Sequence, residues 1–222
     1  MSANTASPDP QSISSNWAHT PPQDAAKVES DYDLLAEDYD DLVKQWAYEG
    51  PRIGVELAKH VFSTQDSILD AGCGTGLTGE ALHSSGFTNI IGTDISQKSL
   101  DLAAQRQVYQ SLVKANLQAP LPWPDNRFDG TYCIGVLTYF PDHFPLQEFC
   151  RVTRPGGWII FSQRLDLLEA GGHGQQYDLM ESQGVWQQNY KSEPTTYLPG
   201  HSEYGQDILV HYFVYQVSPA NA

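Results

Sequence analysis

The 222-residue chain predicts an α/β fold: a doubly wound, mostly parallel seven-stranded sheet with an antiparallel edge strand and helices on both faces. Three observations predict it. Ile68-Leu69-Asp70-Ala71 is an apolar run that reaches an acid and opens into Gly72-Cys73-Gly74-Thr75-Gly76, with helical residues following from Leu77. Ile90-Ile91-Gly92-Thr93-Asp94 repeats the pattern of an apolar run ending in an acid, about twenty residues on, where a nucleotide-binding βαβ unit hydrogen-bonds a ribose hydroxyl. Strand and helix patterns then alternate, until two late β runs follow each other with no obvious helix between them, which suits an antiparallel pair at the sheet edge.

Taken in order, Met1 to about Lys27 is rich in Ser, Pro, Ala, Asn and Gln and reads as a disordered tail, so that residues 28–222 form one domain. From Val28, Tyr32, Leu35, Tyr39, Leu42, Val43 and Trp46 recur at three- and four-residue steps and predict one helix with an apolar stripe. Gly50-Pro51 breaks it, and Arg52 to Phe62 forms a second helix. The glycine loop leads into helix Leu77 to Ser85. Asn89 to Asp94 is the second strand, and Ser96 caps a helix over Gln97 to Val108. Ser111 to Asn116 is a third strand ending in a polar residue. Prolines make Pro120 to Asn126 a loop, and Thr131 to Val136 is a buried fourth strand. After helix Phe144 to Thr153, Arg154-Pro155-Gly156-Gly157 is a structural turn into the fifth strand, Trp158 to Ser162. Gly171 to Gly174 reads as a linker or as a loop closing over a substrate. A short helix beyond Gln175 precedes Val185 to Tyr190, and Ile208 to Val217 is the last strand.

Composition narrows the function. A formal charge of -15, with no basic stripe, opposes binding to nucleic acid or anionic lipid and favours a small neutral or cationic substrate. Three cysteines, Cys73, Cys133 and Cys150, have no C-x-x-C spacing, so neither a disulfide framework nor a zinc site is expected. No apolar run is long enough to span a membrane, and the N-terminus lacks the features of a signal peptide, so the expected location is cytoplasmic. The expected assembly is a monomer or homodimer.

The loop spacing also bears on the ligand. A dinucleotide fingerprint reads G-x-G-x-x-G, whereas this loop reads G-x-G-x-G with Leu77 at the last glycine's place. A carboxylate at Asp70 would repel a pyrophosphate but suits an ammonium or a sulfonium. Acid, glycine spacing, helix and second acid in this order resemble the class I S-adenosylmethionine-dependent methyltransferases, which share a Rossmann-like sheet. Gly76-Leu77-Thr78-Gly79-Glu80-Ala81-Leu82, Gly135-Val136-Leu137-Thr138-Tyr139-Phe140 and Arg151-Val152-Thr153-Arg154-Pro155-Gly156-Gly157 are most similar to the Williams-Beuren syndrome region methyltransferase-like proteins. The resemblance implies S-adenosyl-L-methionine as cofactor and no metal. It implies contacts from Asp70, Gly72, Cys73, Gly74, Gly76, Asp94, Ile95, Asn116, Leu117 and Gly135. Asn116 is either an adenine contact or a turn residue. The pairs Tyr32-Asp33 and Tyr39-Asp40 resemble those of a lid over the cofactor, although plain core packing explains the tyrosines equally. On the acceptor side, His143 or His173 is a candidate base for a hydroxyl acceptor and Tyr139 a candidate contact, each with a packing or surface alternative.

Overall fold

The computed structural model describes residues 24–140, 144–170, 172–202, 205 and 207–219. Strand order is β3-β2-β1-β4-β5-β8-β6. The strands are β1 (Ile68–Ala71), β2 (Ile90–Asp94), β3 (Ser111–Lys114), β4 (Phe128–Cys133), β5 (Thr153–Arg164), β6 (Trp186–Lys191) and β8 (Leu209–Val217); the two-residue β7 (Thr195–Thr196) pairs with β8 off this path. β3 through β5 are mutually parallel, and β8 runs antiparallel to both β5 and β6, which is the expected antiparallel pair at the edge. The order reverses between β1 and β4. A ligand crevice therefore belongs at the carboxyl ends of these two strands.

The helices are α1 (Ala25–Leu35), α2 (Tyr39–Gln45), α3 (Gly50–Val61), α4 (Leu77–Ser84), α5 (Gln97–Gln105), α6 (Phe144–Val152), α7 (Leu165–Ala170) and α8 (His173–Ser182). One core combines β-strand residues with Leu146, Phe149, Tyr177 and Trp186, and a second, including Val55, Ala58, Phe62 and Leu82, lies under α3 and α4. Trp186, Phe161, Phe213 and Tyr215 form a stacked aromatic layer in the first. A small third cluster joins Leu35, Leu42, Val43 and Trp46 to Leu198.

Four local expectations change. The expected tail lies mostly outside the described residues, but its last part is helical: α1 starts at Ala25 because the Asp24 carboxylate accepts from the Ala26 N–H. The single helix expected from Val28 to Trp46 is two helices broken at residues 36–38. Leu35 and Ala36 are buried at the break, and the new direction lets α2 bury Leu42, Val43 and Trp46 against Leu198. The turn at Arg154 to Gly157 lies within β5, since Thr153 pairs with Phe128 and Trp158 with Gly130, leaving a bulge between them. Arg154 is structural as expected, its Nε donating to Asp129 Oδ1 at 2.6 Å. The loop expected over Gly171 to Gly174 is shorter, because Gly172 is the N-cap of α8 and His173 and Gly174 are already helical.

Candidate active site

An open cavity, with about 650 Å³ of empty space including its solvent-facing mouth, lies at the carboxyl end of the sheet. Gly72 and Gly74 line it from the loop after β1, Asp94 and Ile95 from the end of β2, and Asn116, Leu117 and Gln118 from the segment after β3. Ile134, Gly135, Val136 and Phe140 line it after β4, while Ala25, Val28, Tyr32 and Tyr39 reach it from α1 and α2.

The glycines of the loop have different roles. A Cβ on Gly72 would lie 2.4 Å from Val136 Cγ2, and one on Gly76 would lie 3.2 Å from the Ala103 backbone, so both positions are closed by protein packing. At Gly74 a Cβ would meet nothing within 4 Å, which leaves the backbone bare towards the cavity. Its N–H donates to Asp94 Oδ2 at 2.8 Å, and Gly72 and Cys73 donate to the Thr93 carbonyl at 2.8 and 3.0 Å. The loop is thereby held to β2. Asp94 Oδ1 accepts from Ser96 N–H at 2.9 Å, and Ser96 Oγ in turn caps α5 by accepting from Ser99 N–H. Burial pushes the Asp94 carboxyl up, while the N–H groups of Ser96, Gly74 and Ile95 oppose that shift. Asn116 Oδ1 accepts from Gln118 N–H at 2.8 Å, so its side chain shapes the turn as well as lining the cavity.

These features fit S-adenosylmethionine. Each Asp94 oxygen accepts one backbone N–H and retains lone-pair capacity for a hydroxyl. The described residues lining the cavity carry an aspartate and no Lys, Arg or His, a lining that suits a cation and offers no counter-charge to a pyrophosphate.

Asp70, Cys73 and Gly76 do not line the cavity. Asp70 is 1% exposed, and its Oδ2 accepts from Thr78 Oγ1 at 2.7 Å and Tyr109 Oη at 2.8 Å. It braces α4 and the segment between α5 and β3 beneath the loop, so the ligand cation expected beside it is replaced by two protein hydroxyls. Cys73 is buried, and burial pushes its thiol well up. His173 is buried at the first turn of α8 and does not line the cavity. His143 lies outside the described residues, and Tyr139 belongs to a 3-10 turn over Leu137–Tyr139.

Burial raises the Asp70 carboxyl to about 7, against hydrogen bonds from Thr78 and Tyr109 that lower it, with the Asp94 charge adding to the rise. A folded-state pKa above the unfolded one means that the folded chain holds the proton more tightly. The contribution of Asp70 to stability is therefore complete below about pH 4 and is lost as pH rises through about 7. Asp70→Asn should match the wild type's thermal midpoint near pH 4 and exceed it by at least about 2 °C at pH 8. A difference that does not change with pH would refute this.

Three acids tie α1 and α2 to the loops beneath them. Asp40 accepts from Thr75 Oγ1 at 2.5 Å and from Arg106, Asp33 accepts from Ser96 Oγ at 2.6 Å, and Glu29 accepts from Lys114 Nζ at 2.6 Å. Each tie falls within two residues of a cavity-lining position, Gly74, Asp94 and Asn116 respectively. Arg106 is the hub. Its guanidinium donates to the Thr75 carbonyl, Glu80 and Asp40 together.

Ala25, Val28, Gln118, Ile134, Val136 and Phe140 are lining residues that the sequence reading did not single out. Ala25, Val28 and Tyr32 have the i, i+3, i+7 spacing of one helix face, a signal that runs from the expected helix back to Ala25 in the expected tail.

Comparison with known proteins agrees with this geometry. Residues 69–161 match the family model described as "Methyltransferase domain". The chain is 32% identical over 184 residues to human methyltransferase-like protein 27, covering 77% of this chain and 72% of that protein. It is also 32% identical over 158 residues to the malonyl-[acyl-carrier protein] O-methyltransferase of Yersinia pestis, covering 70% of this chain and 57% of that enzyme. In fold it is similar to the [4+2]-cyclase SpnF (TM-score 0.64, 17% identity, covering 77% and 81% of the two chains). It is likewise similar to geranyl diphosphate methyltransferase in complex with SAM (TM-score 0.61, 12% identity, covering 75% and 85%). Sheet order, an acid-anchored glycine loop at the switch point and a relative matched over most of both lengths lead to one conclusion: the chain belongs to the class I S-adenosylmethionine-dependent methyltransferases.

Proposed function

We propose that this methyltransferase acts on a small-molecule acceptor, methylating an oxygen, nitrogen or sulfur by direct in-line transfer. The observation that carries this reading is the cavity itself, which has the Asp94 carboxylate at its β2 end and an apolar wall of Ile134, Val136 and Phe140 beside β4. Bound S-adenosylmethionine supplies an electrophilic methyl on a sulfonium. In this reading Asp94 accepts from the ribose hydroxyls, Leu117 lies against the adenine beside Asn116, and the bare Gly74 backbone and Gly135 flank the methionine portion. Tyr32 and Tyr39 cover it, with α1 and α2 as a lid held by Asp33, Asp40 and Glu29. Positioning and water exclusion supply most of the rate, so no general base is required.

The Yersinia relative's name supports oxygen as the accepting atom, and the -15 charge supports a neutral or cationic metabolite over nucleic acid. The narrower kinship with Williams-Beuren syndrome region proteins, a cytoplasmic location and a monomeric or homodimeric state belong to the same proposal. Among the described residues, no helix is long and apolar enough to cross a membrane. The test is incubation with methyl-labelled S-adenosylmethionine and, separately, a metabolite extract, a protein extract and RNA. Label should enter the metabolite fraction; transfer only to RNA or protein, or tight cofactor binding with no transfer, would overturn the reading.

A further inference from the structure

Gly135 lines the cavity just past β4, and residues that do not line the cavity set its position. The register between β4 and β5 ends at Cys133 opposite Phe161, while β5 runs on beside β8 as far as Arg164. Two residues beyond that last pair, the Gly135 N–H donates to Ser162 Oγ at 2.8 Å. A side chain thus takes over where the ladder stops. Gly135 has φ +80°, a left-handed conformation that glycine enters and leaves at little cost, so the turn needs an external hold. A Cβ there would lie 2.5 Å from Tyr48 Oη and 3.5 Å from Tyr197 Oη, and these two rings meet edge to face at 5.6 Å and fill that space. Packing therefore bars a larger residue at 135, and the Ser162 hydroxyl fixes the direction of its peptide.

We propose that Ser162 is a positioning residue that acts through Gly135, setting the backbone wall beside the methionine portion of the cofactor, a proposal that rests on the methyl-transfer reading above. The device repeats the one at Gly74, whose N–H is held at the same 2.8 Å by the Asp94 carboxylate at the end of β2. In both places a side chain from a neighbouring strand holds the N–H of a cavity-lining glycine. The two differ in reach. Asp94 lines the cavity itself, whereas Ser162 is 4% exposed, is not a lining residue and meets the wall through the Gly135 N–H. Without the hydroxyl that N–H loses its acceptor at a partly buried position, and the turn is free to swing towards another. In-line transfer is sensitive to such a shift, since a misplacement of about 1 Å costs about a hundredfold in rate.

The test titrates the full chain with S-adenosylhomocysteine and with adenosine, which shares the nucleoside but lacks the amino-acid portion. Ser162→Ala should weaken S-adenosylhomocysteine binding about fivefold, the scale of one net hydrogen bond, and leave adenosine binding unchanged. Ser162→Thr keeps the hydroxyl and should keep the wild-type ratio of the two affinities. Thr131→Val is the control for a lost buried hydroxyl in the same strand pair, because Thr131 Oγ1 lies 2.8 Å from Thr153 Oγ1; it too should keep that ratio. Equal losses for both ligands in Ser162→Ala, no loss for either, or the same selective loss in Thr131→Val would overturn the proposal and leave Ser162 as strand packing. The label-transfer experiment judges the methyl-transfer reading on the wild type alone, and the variants judge Ser162, so the two failures are distinguishable.

Discussion

Asp94→Ala should weaken S-adenosylmethionine binding about a hundredfold in calorimetry. The carboxylate accepts from Gly74 N–H and Ser96 N–H, and so fixes both the loop after β1 and the start of α5. Alanine leaves both donors without their partner and removes the acceptor proposed for the ribose hydroxyls. Hydrogen bonds to a charged group contribute about 1.5–3 kcal/mol each, so the loss of two on the ligand side amounts to about 3 kcal/mol, or about a hundredfold. Asp94→Asn retains one acceptor oxygen and should fall between the two. An alanine variant with native thermal stability and near-native affinity would refute the assignment.

Arg106→Ala should weaken cofactor binding about tenfold and remove most of its salt dependence. Arg106 joins the Thr75 carbonyl, beside Gly74, to Glu80 on α4 and Asp40 on α2, and its side chain is only 18% exposed. Asp40 and Glu80 are 44% and 52% exposed, so solvent screening discounts both ion pairs. The carbonyl contact and the shared geometry leave about 1–2 kcal/mol for the closed arrangement of lid and loop. If a closed lid is what retains the cofactor, that energy appears directly in the affinity, about tenfold. Titrations at low and high ionic strength should show wild-type affinity falling towards that of the variant. Equal affinities at low salt would mean that α1 and α2 are fixed core rather than a lid.

The alternation of strands and helices was legible in the sequence, and so was the placing of Gly72, Gly74, Asp94, Ile95, Asn116, Leu117 and Gly135, to the extent that all of these residues line the cavity. They are legible because they follow strands whose apolar runs mark their ends, and a residue just past a parallel strand has only one side of the sheet to face. Asp70 was read differently from what the fold shows. It is the last residue but one of β1, and the identity of its partner depended on Thr78 and Tyr109, which lie 8 and 39 residues away.

By itself, then, the sequence determined the βα alternation, the glycine loop, the acid at the end of β2 and a strongly negative net charge, because periodicity, backbone freedom and net charge are local or summed properties. Only the tertiary structure decided that α1 and α2 part at residues 36–38, that Arg106 joins the glycine loop to α2, that His173 stays away from the cavity and that Tyr48 meets Tyr197 over Gly135. Each of these depends on side chains brought together across tens of residues, and no local pattern encodes such meetings, because they are set by how the helices and late strands pack on the finished sheet.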